Sequence, residues 1–343
     1  MVKSKSKLTD IRLLASSETS PSVLYGLYEV LSTVGTIYPE LTTGETGTPL
    51  FDVNIVSADS APFRCYGNVL VEPHAAINEG DEPDVVIVCD MYQPIDASPI
   101  GQYPREVEWV KRMHSKGVII ASACAGSLVL ADTGLLDGLE TAGHWAYRDM
   151  YRNYFPKVKF NEHSVLSVAG EQDRLITSGA VCSWQDLAVY LIARLCGPEH
   201  AINTIKAFAL LERSNGQLPF SVTTLRIQQK DAVIADCQTW IAENYSCSNP
   251  VARMCEQTGL KSHTFARRFR TATSYQPMNY VHALRLEEAK RLLETIDGSI
   301  EDIGYSVGYE DSSSFHRLFK RKAGMTPAAY RRKMTKLAEA TSH

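Results

Sequence analysis

The sequence places a cysteine where nucleophilic chemistry is possible. Cys124 follows the apolar run Gly117–Ala123 (GVIIASA) and precedes a small-residue turn and an apolar helical segment. A turn between a buried strand and a helix exposes one side chain, with helix N–H groups behind it. That position favours thiolate over thiol, and His144 is the candidate partner twenty residues on. The pair indicates cysteine-dependent hydrolase or amidase chemistry, or else a small buried Cys124 and a hydrogen-bonded surface His144.

Two arginines fifty residues apart could donate hydrogen bonds to the edges of DNA bases. Thr264–Tyr280 aligns with Ser314–Tyr330, which sets Arg267 on Arg317. In each copy two phenylalanines four residues apart share one buried stripe, leaving small or polar residues beside the arginine on the opposite face. Such a face suits base readout, and the alternative, an ordinary solvated face, is disfavoured by two matched copies. The phenylalanine pairs are Phe265 with Phe269 and Phe315 with Phe319.

Each copy reads as a helix, a glycine-containing turn and a second helix. Asn249 is a good N-cap for the first copy, and Ser299 opens a capping box in the second. Gly259 and Gly308 stand where a sharp turn needs a residue tolerant of positive φ. The two helix-turn-helix motifs are predicted at about residues 250–271 and 299–322.

The last hundred residues resemble the AraC/XylS transcriptional regulators. The resemblance rests on the linker helix RLEEAKRLL, the segment VGYEDSSSFHRLFK and the close GMTPAAYR. It implies two helix-turn-helix units on a rigid helix, entering successive major grooves of double-stranded DNA. The residues it places at the bases are His263, Ala266, Arg267, Ser312, Ser313, His316 and Arg317, with Lys261 and Ser262 at the entry of the first recognition helix. The residues better suited to phosphates, which fix register, are Arg270, Lys320, Arg321 and Arg331.

Strand-like and helical segments alternate in the first two thirds of the chain. This alternation, with near-continuous apolar runs, predicts a doubly wound, flavodoxin-like α/β sheet followed by an all-α domain. The predicted strands are Asp10–Ser16, Phe51–Ala58, Pro83–Cys89, Gly117–Ala123, Ser164–Val168 and Asp173–Thr177. The predicted helices are Ser22–Thr33, Tyr103–Ser115, Trp184–Cys196, Glu199–Glu212 and, after a linker, Asp231–Asn244.

Residues 10–212 resemble the PfpI-like group of the class I glutamine-amidotransferase-like fold. The resemblance rests on GVIIASACAGSLVLADTGLLDG, the following TAGHW and ITSGAVCSWQDLAVYLIARLCGPEHA. It makes Cys124 the elbow cysteine and His144 the histidine facing it. Together with the C-terminal resemblance, it is that of the GlxA type of regulator.

Two departures from that pattern predict that the protein is not an enzyme. Val23 stands where the superfamily commonly has a catalytic glutamate, and Glu18 and Glu29 lie off register, although a shift of the loop could bring Glu18 into that position. Asp90–Gln93 replaces the glycine pair that lines the oxyanion site. A cysteine without its carboxylate and oxyanion donors loses most of its transition-state stabilisation. We therefore expect a retained pocket whose chemistry has been lost, with no catalytic residue.

The pocket is expected beyond the carboxyl ends of the strands. Tyr92 and Trp145 would form aromatic walls suited to a cationic, amino-acid- or betaine-like metabolite, and the resemblance implies small nitrogenous ligands in some relatives. A third hypothesis makes Cys124 a thiol redox sensor. The candidate pocket residues are Cys124, His144, Tyr92, Asp90, Trp145 and Val23, with the turn Gly179–Ser183.

Charge is segregated along the 343 residues, a length that suits two domains. The net charge of −4 alone argues against a nucleic-acid partner. Residues 222–343, however, hold 18 Lys and Arg against 13 Asp and Glu, a formal charge of +5. Residues 1–221 hold 17 against 26, a charge of −9. Only the C-terminal part has the balance of a polyanion-binding domain.

The cysteines and the apolar runs indicate a cytoplasmic protein. The 8 cysteines form no CxxC pair and no zinc-type spacing with histidine, so we expect reduced thiols, no metal and no cofactor. No N-terminal run suits a signal peptide, and no run reaches the length of a transmembrane helix.

These observations predict a homodimeric transcription regulator that acts as an activator. Its expected partners are double-stranded DNA, a small-molecule effector and RNA polymerase, with no membrane. The predicted boundaries are a disordered start at 1–9, a sensor and dimerisation domain at 10–213, a linker at 214–224, a DNA-binding domain at 225–336 and a tail at 337–343.

Overall fold

A computed structural model describes residues 8–210 and 231–340 of the chain. The chain divides into two compact units, Met1–Gln217 and Leu218–His343. The predicted linker, residues 214–224, lies outside the described residues, as do most of the predicted disordered start and the last residues of the tail. Thr9, assigned to the disordered start, already belongs to the first strand.

The first unit is built on one mostly parallel sheet of seven strands. Their order is β10-β11-β7-β6-β1-β2-β5, and only β10 is antiparallel to its neighbour. Two short pairs, β3 with β4 and β8 with β9, stand apart from it. The strands are β1 Thr9–Leu14, β2 Phe51–Ser57, β3 Phe63–Cys65, β4 Val69–Val71, β5 Ala75–Ala76, β6 Val85–Val88, β7 Ile119–Ala123, β8 Glu140–Ala142, β9 Lys159–Asn161, β10 Leu166–Ala169 and β11 Leu175–Ser178.

Helices cover both faces of this sheet. Successive residues of a strand point to opposite faces: on β6, Val85 and Ile87 pack in one core cluster, and Val86 and Val88 pack in another. Both faces of the sheet are therefore buried, and the prediction of a doubly wound sheet is confirmed. The helices of this unit are α1 Pro21–Ser32, α2 Ile37–Thr43, α3 Pro104–Ser115, α4 Gly126–Asp132, α5 Arg148–Tyr154, α6 Trp184–Cys196 and α7 Pro198–Phe208.

Sequence patterns located the main elements of this unit and missed the small ones. α1, α3, α6 and the long strands lie within two residues of their predicted bounds. The helix predicted over Glu199–Glu212 ends at Phe208, because Ala209 adopts a left-handed conformation with φ of +50°. The two- and three-residue strands escaped prediction because such short segments show no periodicity.

The second unit contains seven helices within its described residues. They form two core clusters that share the long central helix: Tyr280 and Val281 near its start belong to the first, and Ala289 and Leu293 near its end belong to the second. The helices are α8 Ala232–Asn244, α9 Pro250–Thr258, α10 Ser262–Thr273, α11 Pro277–Thr295, α12 Ile300–Ser306, α13 Ser312–Ala323 and α14 Pro327–Ala340. Because α14 reaches Ala340, it extends past the predicted domain end at residue 336.

The turns of the two repeats have the expected glycines but only one of the expected caps. Gly259 and Gly308 have φ of +64° and +93°, a region that favours glycine. Ser299 caps α12, since its Oγ accepts a hydrogen bond from the Asp302 N–H at 3.0 Å. Asn249 precedes α9 in a left-handed conformation without a side-chain cap, so the prediction of an asparagine cap is wrong.

The described residues show neither a metal site nor a membrane-spanning helix. Among them, no group of three or more His, Cys, Asp or Glu side chains could hold a metal ion. No helix within the same ranges combines the length and apolarity needed to cross a bilayer.

Candidate functional site

The elbow after β7 has a strained backbone conformation. Cys124 has φ of +51°, a left-handed value that is uncommon outside glycine, asparagine and aspartate. A Cβ at Gly126, the first residue of α4, would lie 2.5 Å from the carbonyl oxygens of Val88 and Cys89. The elbow therefore lies against the end of β6, where only glycine fits. An outlier held in place by close packing is a sign of a functional site.

Asp90 brings a carboxylate to this elbow. Its Oδ1 accepts a hydrogen bond from the Ala125 N–H at 3.0 Å, and the carboxylate also accepts one from the Cys124 thiol. Burial raises the pKa of the Asp90 carboxyl, and the two hydrogen bonds partly offset that rise. Asp90 is only 7% exposed, so the elbow itself supplies the donors that water would otherwise supply.

Cys124 keeps its proton in this setting. Burial first, and then the charge and hydrogen bond of Asp90, raise the pKa of the thiol well above its usual range. The prediction that the helix terminus favours thiolate is wrong, because Asp90 already accepts from Ala125 N–H and Cys124 is 3% exposed. The sequence indicated no carboxylate at the position of Val23, but it placed Asp90 in the same pocket as Cys124. Asp90 supplies a carboxylate from the loop after β6.

The two residues near the expected glutamate position differ in their burial. Val23 on α1 is fully buried in the core with Leu24 and Leu27, so the prediction that it lines a ligand pocket is wrong: no ligand can touch it unless the core moves. Glu18 has an exposed side chain, with Oε1 3.5 Å from the Ser17 hydroxyl. The main chain of Glu18 nevertheless lies beside the Asp90 loop, because its carbonyl accepts a hydrogen bond from the Tyr92 N–H at 2.8 Å.

His144 is oriented by its own turn. Its Nδ1 accepts a hydrogen bond from the Ala146 N–H at 3.2 Å, which caps a short 3-10 turn. The ring packs against Trp145 and Tyr147, with centroids 5.0 and 5.9 Å away. Burial lowers the pKa of the imidazole, so the ring is neutral at pH 7. One ring nitrogen is thus engaged locally rather than with the Cys124 thiol.

Aromatic side chains surround the elbow. Tyr147 is buried and its hydroxyl accepts a hydrogen bond from the Gln93 N–H at 3.4 Å. Burial raises the Tyr147 pKa, and Cys124, Asp90 and Tyr92 add to that rise through their charges, which places all four in one neighbourhood. Tyr92 is 47% exposed, which leaves its ring open to solvent.

The end of β11, which leads into the predicted turn Gly179–Ser183, also contacts the elbow. The Cys124 N–H donates to the Ser178 carbonyl at 3.2 Å. The charge of Cys182 within the turn contributes to the raised pKa of the Cys124 thiol. Four separate chain segments therefore meet at the carboxyl edge of the sheet, where open α/β folds bind ligands.

The two recognition helices, α10 and α13, turn their phenylalanines inward. Phe265 and Phe269 are 1% and 0% exposed, and Phe315 and Phe319 match them. Ring centroids within each pair are 5.5 and 5.7 Å apart, in the range of favourable aromatic contact. Burying these pairs fixes which face of each helix remains outside.

The outer faces carry the predicted arginines. Arg267 and Arg317 are both exposed, and Ala266 and Ser312 are partly exposed beside them. The other predicted contact residues that are exposed are Lys261, Ser262, His263, Arg270, Ser313, Lys320 and Arg321. Each helix thus presents a polar, basic face from which bases and phosphates could be contacted.

Two predicted contact residues are less accessible than the sequence indicated. His316 is half-buried, and its Nε2 is buried without a hydrogen-bond partner. Arg331 is also half-buried, and its Nε and Nη2 are likewise buried without a hydrogen-bond partner. Both lie on helices that pack through an apolar face, so part of each side chain follows that face inward. The remaining predicted residues are exposed or partly exposed.

Comparison with known proteins assigns both units to families. Residues 34–194 match the DJ-1/PfpI family, and residues 254–333 match a helix-turn-helix domain of the AraC type. The chain carries a DJ-1/PfpI domain followed by an AraC-type domain. This is the domain pair of a transcriptional regulator, and the family resemblances drawn from the sequence are confirmed.

Several relatives match both domains. The HTH-type transcriptional regulator CdhR of Pseudomonas aeruginosa is 24% identical over 307 residues, which cover 88% of this chain and 88% of that protein. The HTH-type transcriptional regulator GlxA of Rhizobium meliloti is 24% identical over 297 residues, covering 84% and 87%. Among solved structures, Drosophila melanogaster DJ-1beta aligns with a TM-score of 0.49 at 16% identity, covering 60% of this chain and 100% of that one.

Sequence reasoning missed a buried arginine in the AraC-type domain. Arg285 on α11 is only 5% exposed. It stands on the same helical stripe as Val281, Ala289 and Leu293, at intervals of four residues, and these neighbours are all buried. A charged residue on an otherwise apolar stripe was the available signal, because such a residue is buried only when its donors are satisfied.

A bidentate ion pair joining α8 to α10 was also missed. Arg268 donates from Nε and Nη2 to the two carboxylate oxygens of Asp231, at 2.6 and 2.9 Å. The Arg268 guanidinium holds the pKa of the Asp231 carboxyl below its usual range. Asp231 also caps α8 by accepting from the Ile234 N–H at 3.2 Å. The pair therefore ties the start of the AraC-type domain to its first recognition helix.

Proposed function

We propose that the protein is a sequence-specific DNA-binding transcription regulator. The observation that carries this proposal is the pair of helices α10 and α13, each with a phenylalanine pair inside and an exposed arginine outside. In this proposal Arg267 and Arg317 contact base edges, and the exposed Arg270, Lys320 and Arg321 contact phosphates. The basic balance of the AraC-type domain supports the same partner.

The DJ-1/PfpI domain is proposed to sense a small nitrogenous metabolite. The buried carboxylate of Asp90 offers negative charge at the carboxyl edge of the sheet, and the exposed ring of Tyr92 lies nearby. A carboxylate beside an aromatic face suits an ammonium or quaternary ammonium group, because both attract a cation. Effector binding would have to favour one arrangement of the protein, since otherwise it could not change DNA affinity.

This proposal gives the domain no catalytic role. The thiol of Cys124 is protonated, and the Ala125 N–H, a backbone donor that could stabilise an oxyanion, is taken by Asp90. The same protonation disfavours a redox role, since thiolate is the readily oxidised form. We further propose that the domain mediates homodimerisation and that the bound regulator acts as a cytoplasmic activator through contact with RNA polymerase.

The test is selection of binding sites from a random DNA library by the full chain. We expect a defined sequence whose affinity falls steeply with salt, because phosphate contacts release counterions. Arg267→Ala and Arg317→Ala should each cost about 1–3 kcal/mol and relax specificity at different base pairs. Arg291→Ala is the control, since Arg291 is exposed on α11 and paired with Glu288. Failure to enrich any sequence would refute the proposal.

The metabolite is sought by a thermal-shift screen of the same chain with amino acids, betaines and polyamines. A true effector raises the melting temperature and alters affinity for the selected DNA. Asp90→Asn should weaken the response to a cationic effector, because it removes the negative charge. A cationic compound that acts equally on the wild type and on Asp90→Asn would contradict this placement of the binding site.

A further inference from the structure

A cleft separates the two helix-turn-helix units of the AraC-type domain. It encloses about 700 Å³. One wall is the start of α9, with Asn249 and Val251, and the other is α13, with Arg317 and Leu318. Arg285 of the shared helix α11 also lines the cleft. Because Arg317 is one of the proposed base-contacting residues, the width of this cleft affects where that residue meets DNA.

Arg285 joins the two units at this cleft. Its Nε donates to the Tyr245 carbonyl at 2.7 Å and its Nη2 to the Cys247 carbonyl at 3.0 Å, both in the loop before α9. Its Nη1 donates to the Gly308 carbonyl at 2.7 Å, in the turn before α13. The guanidinium also lies over the Tyr309 ring, 5.5 Å from its centroid. One side chain thus holds both helix-turn-helix units through main-chain atoms.

The two segments that Arg285 joins are packed without space between them. A Cβ at Gly308 would lie 2.6 Å from the Ser246 carbonyl oxygen and 2.9 Å from Arg285 Cζ. The Gly308 turn of the second helix-turn-helix unit therefore contacts the loop before α9, and the guanidinium of Arg285 lies beside that contact. A planar guanidinium can direct donors to several carbonyls at once, whereas the smaller ammonium of lysine cannot reproduce that geometry.

We propose that Arg285 is a positioning residue that fixes the separation of the two recognition helices. The inference rests on the proposed function, because the separation matters only if both helices bind one DNA molecule. With Arg285 in place, binding of one recognition helix to DNA already positions the other at its own groove. The second helix then binds without a further loss of conformational entropy. Without Arg285, each unit remains folded on its own core cluster, but the two units no longer act together on DNA.

The test measures coupling between the two halves of the selected site. Full-length wild type, Arg285→Gln and Arg285→Lys are titrated with the intact site, with sites in which either half is scrambled, and with a site carrying one extra base pair between the halves. Arg291→Gln is the matched control on the same helix, where the arginine is exposed and paired with Glu288. Circular dichroism and thermal unfolding establish the folded fraction of each variant.

We expect Arg285→Gln to lose about 5- to 150-fold in affinity for the intact site, the usual range for coupling between sites. Its affinity for the two half-scrambled sites should not change, and it should tolerate the extra base pair that the wild type rejects. A purely structural defect would instead lower affinity for all four DNAs together. Arg285→Lys should fall between, and Arg291→Gln should match the wild type.

Two results would overturn the inference. One is an Arg285→Gln protein with the same preference for the intact site and the same spacer penalty as the wild type. The other, which requires no variant to fold, is a wild type that tolerates the extra base pair, because its units would then not be held at a fixed separation. If the wild type enriches no DNA at all, the proposed function fails first and the inference with it.

Discussion

Iodoacetamide should alkylate Cys182 much faster than Cys124 at pH 7. Cys182 is exposed, whereas Cys124 is 3% exposed and its pKa lies well above 9.0. A free cysteine, with a pKa of about 8.5, is ionised in roughly 3% of molecules at pH 7. Each pKa unit by which the Cys124 thiol exceeds the pKa of a free cysteine lowers its thiolate fraction, and hence its alkylation rate, about tenfold. Burial slows it again by restricting access.

Asp90→Asn tests which group holds the proton on Cys124. Removing the charge should lower the pKa of the Cys124 thiol, because the Asp90 charge raises it. The pKa should still exceed that of a free thiol, since burial is the largest cause and remains. Asp149→Asn, which changes an exposed carboxylate on α5, is the control and should leave the alkylation rate of Cys124 unchanged.

The assay is peptide mapping by mass spectrometry after timed alkylation between pH 6 and pH 10. Both cysteines are followed in the same sample, so Cys182 corrects for reagent and temperature. A Cys124 rate equal to that of Cys182 at pH 7, with a midpoint below about 8.5, would contradict the protonated thiol. That outcome would favour the hydrolase or redox hypothesis over the sensor.

Three further predictions concern stability. Cys89 and Cys124 both have pKa values raised in the folded state, so both thiols stabilise the folded protein fully below about pH 8.5. As the pH rises further, the free energy of unfolding should fall by up to about 1.4 kcal/mol per pH unit for each thiol. Urea unfolding at pH 8 and at pH 10 measures this fall. Gly126→Ala should destabilise the DJ-1/PfpI domain by about 1–3 kcal/mol or more, because two carbonyls block the added Cβ; an unchanged melting temperature would contradict that contact. Phe269→Ala and Phe319→Ala should each lower the free energy of unfolding by about 3–5 kcal/mol, as measured by denaturation. Each should also abolish DNA binding by the helix-turn-helix unit that carries the substitution, as measured by titration with half-scrambled sites.

The sequence predicted those features that depend on local pattern. The fifty-residue repeat indicated both helix-turn-helix units, and the spacing of the phenylalanines identified the buried faces of α10 and α13. Continuous β-branched runs located the central strands, since a strand covered on both faces has no polar alternation. Each of these features follows from a pattern within a short segment of the chain, which in the helix-turn-helix units is repeated once.

The sequence did not predict how charged groups are satisfied inside the fold. Arg285 stands on an apolar stripe, and nothing in that pattern reveals which carbonyls it meets. Its acceptors at Tyr245, Cys247 and Gly308 are 40, 38 and 23 residues away in the chain. They come within reach only when two helical units pack against α11. The buried parts of His316 and Arg331 escaped prediction for the same reason, since helix packing decides which part of a long side chain turns inward.

The sequence placed Asp90 in the pocket, and its position directly beside Cys124 could have been predicted with one further piece of information, the order of the strands. β6 and β7 are parallel neighbours, and Val88 pairs with Ser122. Continuing that register by two residues sets Asp90 beside Cys124, where the structure has them. Alignment to a family motif instead looks for the carboxylate after the first strand and finds Val23. Because neighbouring parallel strands end at one edge, a side chain lost from one strand end can be replaced from the next. Here the replacement does not activate the Cys124 thiol. The Asp90 carboxylate accepts hydrogen bonds from both the thiol and the backbone N–H that a substrate oxyanion would need.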